Sequence, residues 1–298
     1  AITGSASITV TPGGVATVVV SPTPATLTQG ATQQFTAVAK DASGNVITPF
    51  APTWSVVASG GTVTAAGLFT AGTTVGTFTN TVRATSGAAS GLATVIVFVN
   101  LLTASPNGIM AGTAVTCVTG GTINANVSVS PGNTVTGFGP CVITGVQHLG
   151  DATALQGQLD LTAAYNTLAG LPCPPANAIV ADLGGTTKTA GVYCTASGIG
   201  VTGVLTLDGG GDPNASFVFQ AGTSLTTAGN ILLINGAQAK NVNWVVGTSA
   251  TLGVSSLWQG NILAMQSITL VDNATLLGRA LARNGAVSLG TNNTIILP

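Results

Sequence analysis

The residues able to do chemistry in this chain are few, and their spacing limits what they can do. All seven acidic residues are aspartates: Asp41, Asp151, Asp160, Asp182, Asp208, Asp212 and Asp272. There is one histidine, His148, and there are four cysteines, Cys117, Cys141, Cys173 and Cys194. Hydrolysis of a glycosidic bond needs two carboxylates placed across it. Here Asp151 and Asp160 fall on one helical stretch, and Asp208 and Asp212 flank Gly-Gly-Gly, a turn in which Asp is an ordinary residue. No base, metal or sugar platform supports any pair. Zinc is not indicated either, because no two cysteines form a C-x-x-C and only one histidine is available. His148 directly precedes the helical stretch and reads as a loop or capping residue. The inventory assigns no catalytic residue, no metal and no cofactor, so the chain reads as a non-enzyme.

The elements that hold these residues are set by an unusual composition. Of 298 residues, 4% are charged, against roughly 25% in an average soluble protein. The net charge of −1 gives no basic field for nucleic acid or anionic lipid. Aromatic residues are also 4%, so stacking platforms are scarce. Mean hydropathy is +0.58, but no apolar run is long enough to cross a bilayer, and membrane insertion is not expected. The hydropathy comes from short Val, Ile, Leu and Ala runs separated by Gly, Thr and Asn, which is a β pattern. Four cysteines allow three pairings, of which the sequence-local one, Cys117–Cys141 with Cys173–Cys194, is favoured. An even cysteine count suggests an oxidising compartment, hence a secreted or cell-surface protein. The opening AITGSAS has no charged or apolar leader regions and reads as a mature or trimmed start.

Residues 1–99 carry strands about ten residues apart, in ATVVVSP, QQFTAVAK, PTWSVVA, NTVRATS and LATVIVFV, with turn signals such as DASGN between them. That spacing predicts a β-sandwich. Over residues 14–99 the segment resembles the bacterial immunoglobulin-like domains of surface proteins. The run L-x-x-G-x-x-x-Q-F-x-A from Leu27 to Ala37 and the Trp-Ser pair at 54–55 carry the resemblance. No cysteine is present for a core disulfide, and Trp54 reads as a core residue.

From residue 100 the chain repeats. Thr206, Thr226, Thr251, Thr269 and Ser288 form a column with spacings of 20, 25, 18 and 19 residues. A period of this length built from strands predicts a β-solenoid. The longer spacing is an insertion at ILLINGAQAK. A second column, Val218, Val245, Leu263 and Leu281, is read as apolar and outward-facing, because Leu281 shares parity with Arg279 and Arg283 in GRALAR. An apolar outer stripe needs a cover. DATALQGQLDLTAAYNTLAG supplies one: a helix over about 151–169, capped by Asp151 and stopped by Gly170 and Pro172. Its apolar face is read as Ala152, Leu155, Leu159, Ala163 and Leu168.

Two sides of the solenoid remain. One carries the Thr206-to-Ser288 column. The other begins at Asn230, Ser255, Asn273 and Asn292 and continues at Thr275 and Thr294. Its residues are small and uncharged, with hydroxyl or amide groups on a rigid grid set by strand spacing. Asn ladders also stabilise stacked turns without any ligand. A flat, uncharged array of methyls and hydroxyls can hold a fixed water lattice.

Residues 100–298 resemble the microbial ice-binding (antifreeze) family. The carrying segments are VSVSPGNTVTGF (127–138), DLTAAYNTLAG (160–170), DLGGTTKTAGVYCTASGIGVTGVLTLDGGGDPNASFVFQ (182–220), INGAQAKNVNWVVGTSATLG (234–253) and GRALARNGAVSL (278–289). The resemblance implies a right-handed triangular β-solenoid with one α-helix along its axis and a first coil, near 108–138, that joins the stack beside the later ones. It implies adsorption to ice, thermal hysteresis and inhibition of recrystallisation. Some members use a T-A/G-x-T/N pattern, present here at Thr113–Thr116, Thr119–Thr122 and Thr227–Asn230, and broken at Val254–Leu257 and Asp272–Thr275. The expected contact set is therefore Thr113, Thr116, Thr119, Thr122, Thr227, Asn230, Ser255, Asn273, Thr275, Asn292 and Thr294. The expected partner is an ice surface, met by a monomer. The competing reading is a surface adhesin or structural module that binds glycan or protein.

Overall fold

The computed structural model describes Thr11 and residues 13–298. The chain divides into two compact units, Ala1–Phe98 and Val99–Pro298. The first contains short, mostly antiparallel ladders. Thr17–Ser21 pairs with Thr36–Lys40, and Gly76–Ser86 lies between Thr53–Val56 and Ala89–Phe98. Strict alternation in Thr17–Ser21 buries Val18 and Val20 and exposes Val19. Phe35 and Phe69 meet edge-to-face in the core, centroids 6.0 Å apart. Trp54, expected in the core, is only half-buried. Gly67, with φ +82°, leaves room for its ring: a Cβ there would stand 2.9 Å from Trp54 Cε2.

The second unit is mostly β with one long helix among the described residues. Its strands pair in parallel, coil upon coil, as a β-solenoid. One coil supplies Leu225–Thr227, Asn230–Ile234 and Val242–Val246 to three different sheets. Inward residues stack in register. Tyr193, Phe219 and Trp244 align, with ring centroids 5.3 and 4.2 Å apart, and Trp258 packs on Trp244 at 4.7 Å. The Trp244 Nε1–H donates to the Gln259 carbonyl at 3.0 Å. The first strand, Asn107–Ala111, lies between Thr275–Ala282 and Asn126–Val129, so the first coil continues the stack where the last one ends. Cys117–Cys141 and Cys173–Cys194 are the disulfides formed.

The helix, Ala152–Ala169, is about 27 Å long. Asp151 Oδ1 accepts the Ala154 N–H at 2.8 Å, and Oδ2 lies 2.8 Å from His148 Nδ1. The buried face differs from the expected one. Ala154, Gly157, Gln158, Leu161, Ala164 and Leu168 are buried, whereas Leu155 and Leu159 are 54% and 56% exposed. Close approach to a sheet favours small residues at the seam. At Gly157 a Cβ would stand 2.7 Å from Met110 Cε.

The apolar stripe under the helix also needs one correction. Val245, Leu263, Leu281 and Met110 share a register and are buried. Val218 is not in that row. It aligns with Asn243, and Gln220 aligns with Val245. Gln220 Nε2 donates to the Leu168 and Leu171 carbonyls at 2.8 and 3.0 Å, so it closes the end of the helix. The adjacent row is polar: Asn261 donates to Asn243 at 3.1 Å, and Arg279 donates to Asn261 at 2.9 Å.

Candidate functional site

Seven parallel strands make up the side that presents the most regular outer surface. In order they are Thr134–Thr136, Ala114–Thr119, Val287–Thr291, Ile268–Leu270, Ala250–Leu252, Leu225–Thr227 and Ile199–Val201. Val115, Val287, Ile268, Ala250, Leu225 and Ile199 point into the hydrophobic core. Alternation then turns the next residue of each strand outward. The outward row reads Thr136, Thr116, Ser288, Thr269, Thr251, Thr226, Gly200 by direct register. Six consecutive positions carry a hydroxyl, each at least partly exposed.

A second outward row lies two residues earlier and includes Ser224, Ser249 and Ser267. Two of its hydroxyls are engaged within the protein. Ser249 Oγ accepts the Ser267 N–H, and Ser267 Oγ accepts the Ala286 N–H, both at 3.3 Å. The six hydroxyls of the first row have no hydrogen-bond partner in the described protein. Backbone pairing fixes the grid at about 4.8 Å across strands and about 6.6 Å along them. The arrangement can present a fixed array of donors, acceptors and methyls to ordered water. The aspartates nearest to it lie at its margins. Asp272 Oδ1 accepts the Thr291 N–H at 2.7 Å near one corner, and Asp182 stands at the Gly200 end.

The sequence-predicted residues do not form one surface. Thr116 belongs to the hydroxyl row, and Thr119 ends the same strand opposite Thr291. Thr113 is exposed just before it. Thr275, Thr294 and Thr122 align with one another on the next side, but Leu257 and Val142 flank them. Asn230 opens a strand there, and its Oδ1 accepts the Leu257 N–H at 2.7 Å. Thr227 is buried at 3% exposure, and its Oγ1 accepts the Gly253 N–H at 3.3 Å, so it cannot contact a surface ligand. Ser255, Asn273 and Asn292 occupy the corner between the two sides with φ of +57°, +61° and +55°. Left-handed backbone is costly for L-residues and least so for Gly and Asn. Asn273 and Asn292 therefore have a conformational reason for their identity.

Thr206 also departs from its column. It pairs with Thr187 and Leu232, on the same side as the strand that Asn230 opens, and Gly200 takes its expected place. Thr136 was missed. The available signal was the repeated triplet Ser/Ala/Thr–apolar–Thr/Ser, in TVT, AVT, AVS, SIT, SAT and SLT.

A family model described as ice-binding-like matches residues 109–295. An ice-binding protein from Nostoc sp. is 47% identical over 193 residues, which is 64% of this chain and 71% of the relative. A crystal structure of an ice-binding protein from an Antarctic biological consortium is similar with a TM-score of 0.65 at 40% identity, covering 67% of this chain and 90% of that one. The ice-binding protein of the Antarctic ascomycete Antarctomyces psychrotrophicus gives a TM-score of 0.63 at 39% identity, covering 67% and 98%.

Proposed function

The chain belongs to the ice-binding-like family, and on that premise we propose that it adsorbs to ice through the seven-stranded side, with Thr136, Thr116, Ser288, Thr269, Thr251 and Thr226 as the central contact row. One observation carries the choice of side: six aligned hydroxyls have no protein partner, while Ser249 and Ser267 beside them are hydrogen-bonded internally. Thr113 and Thr119 extend this contact. The Asn230, Thr275, Thr294 and Thr122 side is the less regular alternative, since Leu257 and Val142 interrupt it.

Adsorption pins the growth front and forces ice to advance as curved surface between bound molecules, which lowers the freezing point below the melting point. The same pinning slows recrystallisation. No bond is made or broken, and no cofactor takes part. The solenoid is read as right-handed and triangular. The N-terminal unit is read as an immunoglobulin-like sandwich serving as a spacer, supported by its antiparallel ladders. Two disulfides fit a secreted or surface-attached monomer.

Nanolitre osmometry on the purified chain tests the function. Faceted crystals with a gap between melting and freezing are expected. Round crystals growing at the melting point, from protein shown to be folded, would leave an adhesin or structural module as the reading.

A further inference from the structure

The hydroxyl row has a seventh position, and it lacks a side chain. Gly200 aligns with Thr226 in the terminal strand. Asp182 lies above it, on the loop that crosses this end of the sheet. A Cβ at Gly200 would stand 2.7 Å from Asp182 Oδ2. The two carboxylate oxygens have different surroundings. Oδ1 accepts the Gly184 N–H at 2.7 Å, the Thr202 N–H at 3.0 Å and the Thr202 hydroxyl at 3.1 Å. Oδ2 has no hydrogen-bond partner in the described protein, and the residue is exposed. The Leu183 N–H donates to the Gly200 carbonyl at 2.9 Å, so the loop also occupies the outer edge of the last strand. Edge protection of this kind prevents strand addition. It explains Oδ1, but not a free anionic oxygen held over the end of the row. Partial burial works to raise the pKa of this carboxyl, but hydrogen bonds from Thr202 and Gly184 outweigh it and keep the group below its usual range.

We infer that Asp182 terminates the ice contact, holding an ionised acceptor at the seventh position so that ordered water spans six strands and stops there. This rests on the seven-stranded side being the ice face. A threonine hydroxyl both donates and accepts, as each water in ice does, whereas an ionised carboxylate only accepts. Water around a fixed anion points its hydrogens inward and cannot continue the lattice. Six strands span about 24 Å from first to last, and a seventh would extend the span to about 29 Å.

Asp182→Asn isolates the charge. It retains an Oδ1 acceptor for Thr202 and Gly184 and places an amide where Oδ2 stands. Hysteresis at equal molar concentration is expected to rise at least about 1.2-fold, the ratio of seven strands to six, with circular dichroism and melting temperature unchanged. Asp182→Ser, which removes the carboxylate altogether, carries the same expectation. Asp212→Asn removes one charge from a turn elsewhere and is expected to change nothing. Unchanged or lower hysteresis in the folded Asp182 variants overturns the inference, as does an equal rise in Asp212→Asn. Thr269→Tyr is measured alongside. If it leaves hysteresis intact, the choice of face has failed. If it abolishes hysteresis and Asp182→Asn does not raise it, only the terminating role has failed.

Discussion

A tyrosine at Thr269 and a tyrosine at Asn273 should have opposite effects, although the two positions are four residues apart. Thr269 is flanked in its row by Thr251 and Ser288. An aromatic ring covers roughly 150–250 Å², and neighbouring strands are about 4.8 Å apart, so the ring masks its own position and both neighbours. Three of six hydroxyl positions are lost. At about 0.5–1.5 kcal/mol per net hydrogen bond, three amount to about 1.5–4.5 kcal/mol, or about 10- to 2,000-fold in affinity. The fold should not suffer, because an exposed strand position accepts tyrosine well. Asn273 has φ +61° and turns the corner. A tyrosine there meets the left-handed cost of about 1–2 kcal/mol and lowers the melting temperature by about 2–8 °C for a unit of this size, while the hydroxyl row stays open. Nanolitre osmometry and thermal unfolding on both variants give the two readouts. Full hysteresis in folded Thr269→Tyr, with loss in folded Asn273→Tyr or Thr275→Tyr, would refute the choice of face and move the contact to the corner and the Thr275–Thr294–Thr122 side.

Two further outcomes follow from the supporting structure. Gly157→Leu should destabilise the solenoid unit by about 1–3 kcal/mol through overpacking against Met110, and Gly157→Ala should be near neutral, since the displaced Cε ends a flexible side chain and Ala gains about 1 kcal/mol in helix propensity over Gly. Urea midpoints check both, with hysteresis per folded molecule unchanged. In the N-terminal unit, Asp41 accepts from Asn45 Nδ2 and from the Gly13, Asn45 and Ser43 N–H groups, which hold its pKa at about 2 against an ordinary 3.8. The folded value is depressed, so its stabilisation is complete above about 3.8 and disappears as pH falls through about 2. Asp41→Asn should flatten the pH dependence of that unit's urea midpoint across this window, followed by NMR signals of the unit, and an unchanged slope would assign the acid sensitivity elsewhere.

What the sequence made legible was periodic, and what it hid was phase. The coil repeat, the helix, its Asp151 cap and its role as cover for Val245, Leu263 and Leu281 all follow from patterns that survive small errors in counting. The side on which a given residue falls does not. The segment between Thr226 and Thr251 is longer than the two that follow it because a turn at Asn235–Gly236 and a 3-10 turn at Ala239–Asn241 intervene. Val218 was set beside Val245 in place of Gln220 because it was counted from Thr206, which does not belong to the row. Thr206 was placed in the row because the turn containing Asp208 and Asp212 lengthens the coil before Thr226 and the true member, Gly200, has no side chain to register in a pattern. Helix packing was hidden for a different reason. Hydrophobic periodicity points to Leu155 and Leu159, but the distance between helix and sheet is set by the smallest residues, and Gly157 and Ala164 win that contest. The asparagines at the corner show the same confusion of causes. Asn273 and Asn292 recur because the backbone turns through positive φ there, and a sequence column cannot tell a residue selected for its conformation from one selected for its contact. Threonine has no such excuse in the middle of a strand. Where it recurs outward, strand propensity accounts for its type, and the proposed ice contact accounts for its alignment without a partner.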